Sequence, residues 1–491
     1  MTTSGVDAAP ESPDVPPTDG PTTRLAAQVA QRIEADVVRR RWPVGDLLGS
    51  EQELRERYGV SRPVLREAVR LVEHHQVGRM RRGPNGGLLV CAPDALPATR
   101  ALVVYLEYIG LSVDDLVQAR RLLEPLAASL AAERITEAGI ARLRHRLVDE
   151  VHRADEPGVY AQDELHVVLG ELTGNPALHL FIDVLMRLTS RYVHSVGRVP
   201  RAEVAAGKVR SQTIHAELVD AVVAGDAGRA EATMTRHIDQ VSAWLSTNRR
   251  PRRGAAGRRP ARMVEVPGAK LAEVVTAQIH DEISRLGWPI GQVLGAEGDL
   301  LARYGISRPV LREAVRLLEY HSVARMRRGP GGGLVVTEPD PTASIDTMAL
   351  YLDYRGVTPS HLRVVRDAIE LGCLGAVLAR RDDPEVASVL RAALARSGEP
   401  TAPGRTGADH FHTALVDLSG NPVLGLFLRI LTELWNRHTA AKSRPPLGEA
   451  DAVRTVETQH GGILDALLAG DDGVARHRLR RHLEALTAWY D

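Results

Sequence analysis

The sequence predicts a mainly α fold written twice in one chain. Each copy is a small unit of three helices and a hairpin, followed by an all-α bundle. Three observations predict it. Gly59–Val90, GVSRPVLREAVRLVEHHQVGRMRRGPNGGLLV, returns as Gly305–Val336, GISRPVLREAVRLLEYHSVARMRRGPGGGLVV, at an offset of 246 residues, and Ser61–Arg70 is identical to Ser307–Arg316. The same offset aligns Trp42 with Trp288, Gly45 with Gly291, Arg120 with Arg366 and His166 with His412. It then slips by one to pair His215 with His460 and His237 with His482. The repeat is therefore a whole protomer of roughly 240 residues rather than a short solenoid unit. Second, Ala, Leu and Val recur at three- and four-residue spacing through both long segments, the period of a helix face. Third, hydrophobic residues make up 44% of the chain but aromatics only 4%, so the cores are aliphatic, which suits helix packing.

In chain order, residues 1–21 are rich in Pro, Thr, Ser, Asp and Gly without an apolar period and read as a disordered tail. Residues 22–93 read as helix, helix, helix and hairpin. Residues 97–245 read as the first helical bundle. Residues 246–262, STNRRPRRGAAGRRPAR, hold seven arginines and no acid and read as a solvated, self-repelling spacer. The cycle restarts at 263–338 with the second small unit and closes with a second bundle over 342–491. The two cysteines, Cys91 and Cys373, are not equivalent in the repeat and imply no disulfide framework, which fits a cytoplasmic location. No apolar run approaches the ~18–20 residues of a membrane span. Net charge is zero, yet residues 51–90 carry 8 Arg against 5 Glu, and 297–336 carry 7 Arg against 4 acids. Positive charge is thus concentrated in the repeated motif.

The motif itself reads as a helix-turn-helix. A short helix ends near Tyr58, and Gly59 gives the backbone freedom for a sharp turn. Ser61 is placed as an N-cap, and Pro63 falls in the first turn, where its missing N–H costs little. Val64, Leu65, Ala68, Val69 and Val72 share one side of the new helix, while Arg62, Arg66 and Arg70 are four apart on the other. Arginine can bridge the O6 and N7 atoms of guanine in a major groove or grip phosphate. Gly78–Val90 then reads as a hairpin with a glycine-rich tip, and its Arg79, Arg81, Arg82 and Gly83 make a basic wing. The second copy offers Arg308, Arg312 and Arg316 on the helix, and Arg325, Arg327, Arg328 and Gly329 on the wing.

These residues resemble the winged helix of the GntR family of bacterial transcription regulators, in which a Gly-Val-Ser-Arg turn leads into an Arg-Glu-Ala helix and a Gly-rich wing. The resemblance covers both small units. It implies DNA contacts from Ser61, Arg62, Val64 and Arg66, and from Ser307, Arg308, Val310 and Arg312. It also implies a contact from the residue after the glutamate of the preceding helix, commonly Arg. That residue is Gln52 in one copy and Gly298 in the other, so the second reader is expected to lack a contact.

Nine histidines fall in each copy, but only four equivalent pairs persist: His75/His321, His166/His412, His215/His460 and His237/His482. The last three pairs sit in the helical bundles. Three imidazoles from separate helices suit a borderline divalent metal such as Zn, Ni or Mn and leave positions open for a ligand. Alternatively, they are satisfied core histidines or line a metal-free acid pocket. Arg120-x3-Glu124, His166 before Gly174-Asn175-Pro176, then His215 and His237 resemble the FCD ligand-binding domain of the FadR-type GntR subfamily. The second copy repeats this pattern with Arg366, Glu370, His412, Asn421, His460 and His482. The resemblance implies effector contacts from Arg120, Arg366, Asn175 and Asn421. It also implies a fourth metal ligand, an Asp four residues before the first histidine. Those positions are Gln162 and Ala408, and the nearest aspartates, Asp163 and Asp409, stand three residues before, about 100° around a helix.

The expected function is a cytoplasmic, sequence-specific DNA-binding transcription regulator, not an enzyme. It would be a repressor responsive to a small organic acid, acting on a double-stranded operator of inverted half-sites, with a homodimer of the fused chain possible. Three histidines also describe metal-dependent hydrolases, but no nucleophile–base constellation accompanies them. A ligand-insensitive architectural DNA-binding protein is the remaining alternative.

Overall fold

The computed structural model describes residues 21–83, 86–152, 162–195, 201–248, 271–320, 322–327, 329, 331–396, 409–441 and 449–488. The expected tail and nearly all of the arginine-rich spacer lie outside them. The chain divides into two compact units, Met1–Pro93 and Asp94–Asp491.

The first unit holds α1 (Pro21–Arg39), α2 (Glu51–Tyr58), α3 (Arg62–His74), β1 (Gly78–Arg81) and β2 (Gly87–Val90). Ile33, Val37, Leu54, Leu65, Ala68, Val72 and Leu88 are buried and join α1, α3 and the hairpin in one core. Ser50 and Glu53 form a reciprocal capping box that starts α2. Gly59, at φ 64°, ends it, with its N–H donating to the Arg55 carbonyl. A side chain in that left-handed conformation would be strained, so the turn needs glycine. Ser61 occupies the N-cap position of α3, but its hydroxyl makes no cap hydrogen bond. β1 and β2 pair antiparallel, Gly78 opposite Val90, as the hairpin reading requires.

The second unit begins with α4 (Ala95–Tyr108) and the helices α5 (Val113–Glu133), α6 (Glu137–His152), α7 (Gln162–Leu172), α8 (Pro176–Ser195), α9 (Arg201–Val223) and α10 (Ala227–Asn248). The second reader follows: α11 (Leu271–Arg285), β3 (Val293–Gly295), α12 (Glu297–Tyr304), α13 (Arg308–Tyr320), β4 (Ala324–Arg327) and β5 (Gly333–Val336). Its sheet has three strands in the order β3-β5-β4, one more than the sequence suggested, because the three residues of β3 are too few to show an alternating pattern. α14 (Pro341–Tyr354), α15 (Pro359–Ala379), α16 (Pro384–Ala395), α17 (Asp409–Leu418), α18 (Pro422–Ala441), α19 (Glu449–Leu468) and α20 (Asp472–Ala488) complete the second bundle.

The two bundles share one apolar core, formed where α4, α5 and α8 meet α14, α15 and α18. Phe181 and Phe427, equivalent in the repeat, stack face to face at 4.0 Å between centroids and 2° between planes. Asn175 donates to the carbonyl of His361, and Asn421 donates to the carbonyl of Asp115, each at 2.9 Å. These are the same contact seen from opposite sides, so the two helical bundles are related by an approximate two-fold axis. The second reader is seated on α4: Val104 enters its core, Tyr108 donates to Glu338 at 3.0 Å, and the Tyr108 ring meets the edge of Trp288.

Candidate functional site

The two reading helices expose Ser61, Arg62, Arg66 and Arg70, and Ser307, Arg308, Arg312 and Arg316. Val64 is only 7% exposed, and Val310 packs against the core of the second reader. Both valines pack inward beside Leu65 and Leu311, Val64 buried and Val310 half-buried. Arg62 donates to Glu51 at 2.7 Å, and Arg66 lies 3.5 Å from the same carboxylate. Arg308 stands 3.6 Å from Glu297. Each leading arginine is thus held by a glutamate of the preceding helix, a partner eleven residues away that no helix-period argument would find. Gln52, next to Glu51, donates to Glu56 at 3.0 Å. Gly298 has open space beside it. Glu73 and Glu319 accept the backbone N–H groups of Met80 and Met326, tying each wing to its reading helix. Arg79, Arg81, Arg82 and Gly83 are exposed on the first wing, and Arg325, Arg327 and Gly329 on the second; Arg328 lies outside the described residues.

The helical bundles each bring their three histidines together. His166 of α7, His215 of α9 and His237 of α10 are buried, and so are His412 of α17, His460 of α19 and His482 of α20. In each triad the ligand nitrogens lie within 4.8 Å of one another. In the second copy the three Nε2 atoms are 3.1, 3.2 and 3.0 Å apart. In the first, His215 and His237 face each other Nε2 to Nε2 at 3.4 Å. Ligands at ~2.0–2.1 Å from one ion are about 3.3 Å apart in a tetrahedron and about 2.9 Å apart in an octahedron.

The outer nitrogens set the tautomers. The Nδ1 atoms of His166 and His412 face Glu124 and Glu370 at 2.6 and 2.5 Å, that of His215 faces Glu150 at 2.8 Å, and that of His482 faces Gln459 at 2.6 Å. An Nδ1–H donated outward leaves a lone pair on Nε2. In the second copy His412 and His482 therefore turn two lone pairs toward one point, where a cation would relieve the repulsion. Burial favours the neutral form that ligation needs at His166, His237, His460 and His482. It pushes His237 well below the ordinary value, with His166 and His215 adding to it. It pushes His482 down to about 2, helped by His412 and Arg366, and it lowers His460 and His166 as well. Burial alone would raise Glu124 and Glu370, but Arg120 and His166, and His412 and Arg366, outweigh it and bring both carboxyls to about 2.

Arg120 and Arg366 lie in this network. Arg120 donates to both oxygens of Glu124 and to Thr189 Oγ1. Arg366 donates through Nε to Glu370 at 2.6 Å, while its buried Nη2 has no hydrogen-bond partner. Asn175 and Asn421 are used differently from the sequence reading. Their Oδ1 atoms cap α8 and α18, and their Nδ2 atoms cross to the other bundle, so their polar groups are spent away from the triads. Asp409 is not part of the second triad; its carboxyl is buried near Arg366 and takes a hydrogen bond from Asn436. The side chain of Asp163 lies outside the described residues. Glu150 and Gln459 went unnoticed in the sequence because they lie 65 and 23 residues from the histidines they orient.

No helix among the described residues is long and apolar enough to cross a membrane. The profile of the bacterial regulatory proteins of the gntR family matches residues 25–84 and 271–334, and the profile of the FCD domain matches 115–240 and 361–485. The chain is 29% identical over 206 residues to the HTH-type transcriptional regulator LutR of Bacillus subtilis (strain 168), covering 41% of this chain and 92% of that protein. It is 26% identical over 232 residues to the HTH-type transcriptional repressor NanR of Cronobacter sakazakii, covering 46% of this chain and 88% of that one. A solved chain described as Streptococcus agalactiae GntR aligns with 45% of this chain and 99% of its own length, at 24% identity and a TM-score of 0.34. Relatives of about half its length fit a duplicated protomer. The chain belongs to the GntR family of bacterial regulatory proteins, with the family's DNA-binding domain and the FCD effector-binding domain each present twice in tandem, and it is a DNA-binding transcription regulator.

Proposed function

We propose that the chain is a cytoplasmic repressor that binds an operator of two similar, inverted half-sites and releases it when a small organic acid enters the helical bundles. The observation that carries this reading is the meeting of three buried imidazoles with a buried arginine in each bundle, with Arg366 Nη2 making no hydrogen bond among the described residues. A buried guanidinium N–H without an acceptor is costly, and a carboxylate is the acceptor it fits best. His166, His215 and His237, and His412, His460 and His482, would hold one divalent ion per copy, Zn, Ni or Mn, with Asp163 as candidate fourth donor in the first. Such an ion supplies positive charge for an anionic effector. Glu124 and Glu370 orient the leading histidines and balance the arginines.

On the DNA side, Arg62, Arg66, Arg70, Arg308 and Arg316 exchange their glutamate partners for base edges and phosphates, Arg312 joins them on the same face, and the exposed wing arginines add backbone contacts. Ser61, Ser307 and Gln52 stand at the same faces. Effector binding then shifts the population toward a placement of the readers that mismatches the operator. The seat of the second reader on α4, through Tyr108, Glu338 and Trp288, is one route for that shift. The name of the relative NanR supports repression as the sign.

The test is selection of bound sequences from random DNA with the full chain, followed by affinity measurements with Zn and a panel of small carboxylates. At least one carboxylate is expected to weaken operator binding tenfold or more in the presence of Zn (about 1.4 kcal/mol). Unchanged affinity across the panel, with and without chelator, refutes the effector reading; failure to enrich any sequence refutes the reader assignment.

A further inference from the structure

The interface between the two bundles crosses an approximate two-fold axis, yet the residues on its two sides differ in size. Leu122 on α5 packs over Gly372 on α15. A Cβ at Gly372 would lie 2.5 Å from one Leu122 methyl carbon, 2.6 Å from the other and 3.1 Å from Cγ. The residue equivalent to Gly372 in the first copy is Leu126, and the residue equivalent to Leu122 in the second is Ala368. Leu122, Leu126 and Ala368 all pack against the shared core. Leu122 meets Gly372, and the approximate axis makes Leu126 and Ala368 the counterpart pair of positions. In both, the first copy supplies the large side chain and the second the small one.

Pairing like with like breaks this fit. Two first copies would set Leu122 against Leu126 twice, so each Leu122 side chain would have to leave the rotamer it holds over Gly372 while a second leucine is fitted beside it. Two second copies would set Ala368 against Gly372 twice and leave a void on each side of the axis. The polar contacts discriminate only against pairing two second copies. Asn421 donates to Gln118 Oε1 as well as to the Asp115 carbonyl, both at 2.9 Å. The residue equivalent to Gln118 in the second copy is Val364, which cannot accept. The central Phe181–Phe427 stack is neutral, since both copies carry Phe.

We propose that this interface accepts only unlike halves: the partner of each bundle is the other bundle of this chain, and pairing with an identical bundle of a second chain is rejected by size. Specificity arises from what the like pairings lose as much as from what the unlike pairing gains. The DNA-binding unit then always holds one reader of each kind. The interface argument rests on packing alone and is independent of any effector or metal.

A reciprocal exchange in the full chain tests it. Gly372→Leu with Ala368→Leu makes both sides large; Leu122→Ala with Leu126→Gly makes both small; the four changes together return large against small with the sides reversed. Each pair of changes is expected to lower the Tm of the helical unit by roughly 3–10 °C, the range of overpacking or a core void in a unit of this size. The fourfold variant is expected to recover most of that loss, and mixing the all-large chain with the all-small chain is expected to yield a two-chain complex by native mass spectrometry. If either pair of changes is harmless, or if the fourfold variant is as unstable as the sum of its parts, the size rule is wrong. If the paired variants fail to accumulate as folded protein, the fourfold variant decides: folded at near-parental Tm supports the rule, and unfolded refutes it.

Discussion

Removing the Glu150 carboxylate tests whether the two histidine triads hold an ion unequally. In the first copy His215 is oriented by Glu150, which is 4% exposed and 2.8 Å from Nδ1. In the second copy the residue at that place in the repeat is Arg396, which is exposed. There His460 Nδ1 is buried with no hydrogen-bond partner, and its ring lies flat on Phe411, 4.4 Å between centroids. A carboxylate behind a ligating histidine fixes the ring and its tautomer and raises its basicity, and losing it typically costs about 10- to 100-fold in metal affinity. The first triad has two such carboxylates, Glu124 and Glu150; the second has Glu370 and the amide of Gln459. The first triad is therefore expected to bind Zn about 10- to 100-fold more tightly, about 1.4–2.7 kcal/mol.

The assay is competition for Zn against a chromogenic chelator in the full chain, with His460→Ala isolating the first triad and His215→Ala isolating the second. Adding Glu150→Ala to the His460→Ala chain should weaken the remaining site to about the level of the second triad, with Glu150→Gln falling between. An affinity within twofold of the parent after Glu150→Ala refutes the argument that this carboxylate sets the difference. Absence of Zn binding by either triad would instead remove the metal reading altogether, whatever Glu150 does.

Three further outcomes are expected. Arg62→Ala and Arg308→Ala should each weaken binding to the selected operator by roughly 5- to 150-fold at fixed salt, the worth of a good bidentate base contact; full affinity and specificity in both variants, measured by anisotropy, would show that α3 and α13 do not read DNA. Gln52→Gly should weaken contacts at one half-site while Gly298→Gln strengthens the other, resolved by footprinting each half-site; the opposite ranking counts against unequal readers. The metal-free chain should lose stability in acid. Buried His237, His460, His482 and His166 have lowered values in the folded state, so the unfolded chain takes up more protons as pH falls below about 6.5. Glu124 and Glu370, at about 2 when folded, contribute stability that is present above their ordinary value of 4.5 and lost as pH falls from there toward 2. Tm should be level near pH 7–8, fall below 6.5 and fall more steeply below 4.5; a Tm that rises between pH 7 and 5 contradicts these environments.

What was legible in the sequence and what was not divides along one physical line. The helices, the turn at Gly59 and the gathering of the histidines follow from local period and from the repeat, and these are properties a linear string carries. The partners across the fold are not. Glu51 holding Arg62, Glu150 behind His215 and the reach of Asn175 to the His361 carbonyl join residues 11, 65 and 186 positions apart. Val64 shows how a resemblance and a period can disagree. The family pattern placed it at DNA, while its helix phase placed it beside Leu65 and Ala68, and the folded chain follows the phase.

The repeat carries a further signal that a single copy could not. In a homodimer each residue serves both sides of a two-fold axis, so the two symmetry-related contacts must be identical. A fused chain is free of that constraint. It can place Leu122 and Leu126 on one side of the axis with Ala368 and Gly372 on the other, supply Gln118 where the second copy has Val364, and keep Glu150 where the second copy has Arg396. Positions where the two copies must do the same work are kept alike: the ten residues from Ser61, the stacked Phe181 and Phe427, and the six histidines. The copies part at some positions where one faces the other, Leu126 and Gly372 or Gln118 and Val364, and at one behind a histidine, Glu150 and Arg396, while Asn175 and Asn421 or Glu124 and Glu370 stay alike. Comparing the halves of one chain therefore shows where the fused protein has used its freedom to differ, and Leu122, Leu126, Ala368 and Gly372 are the positions that make it a joined pair of unequal partners.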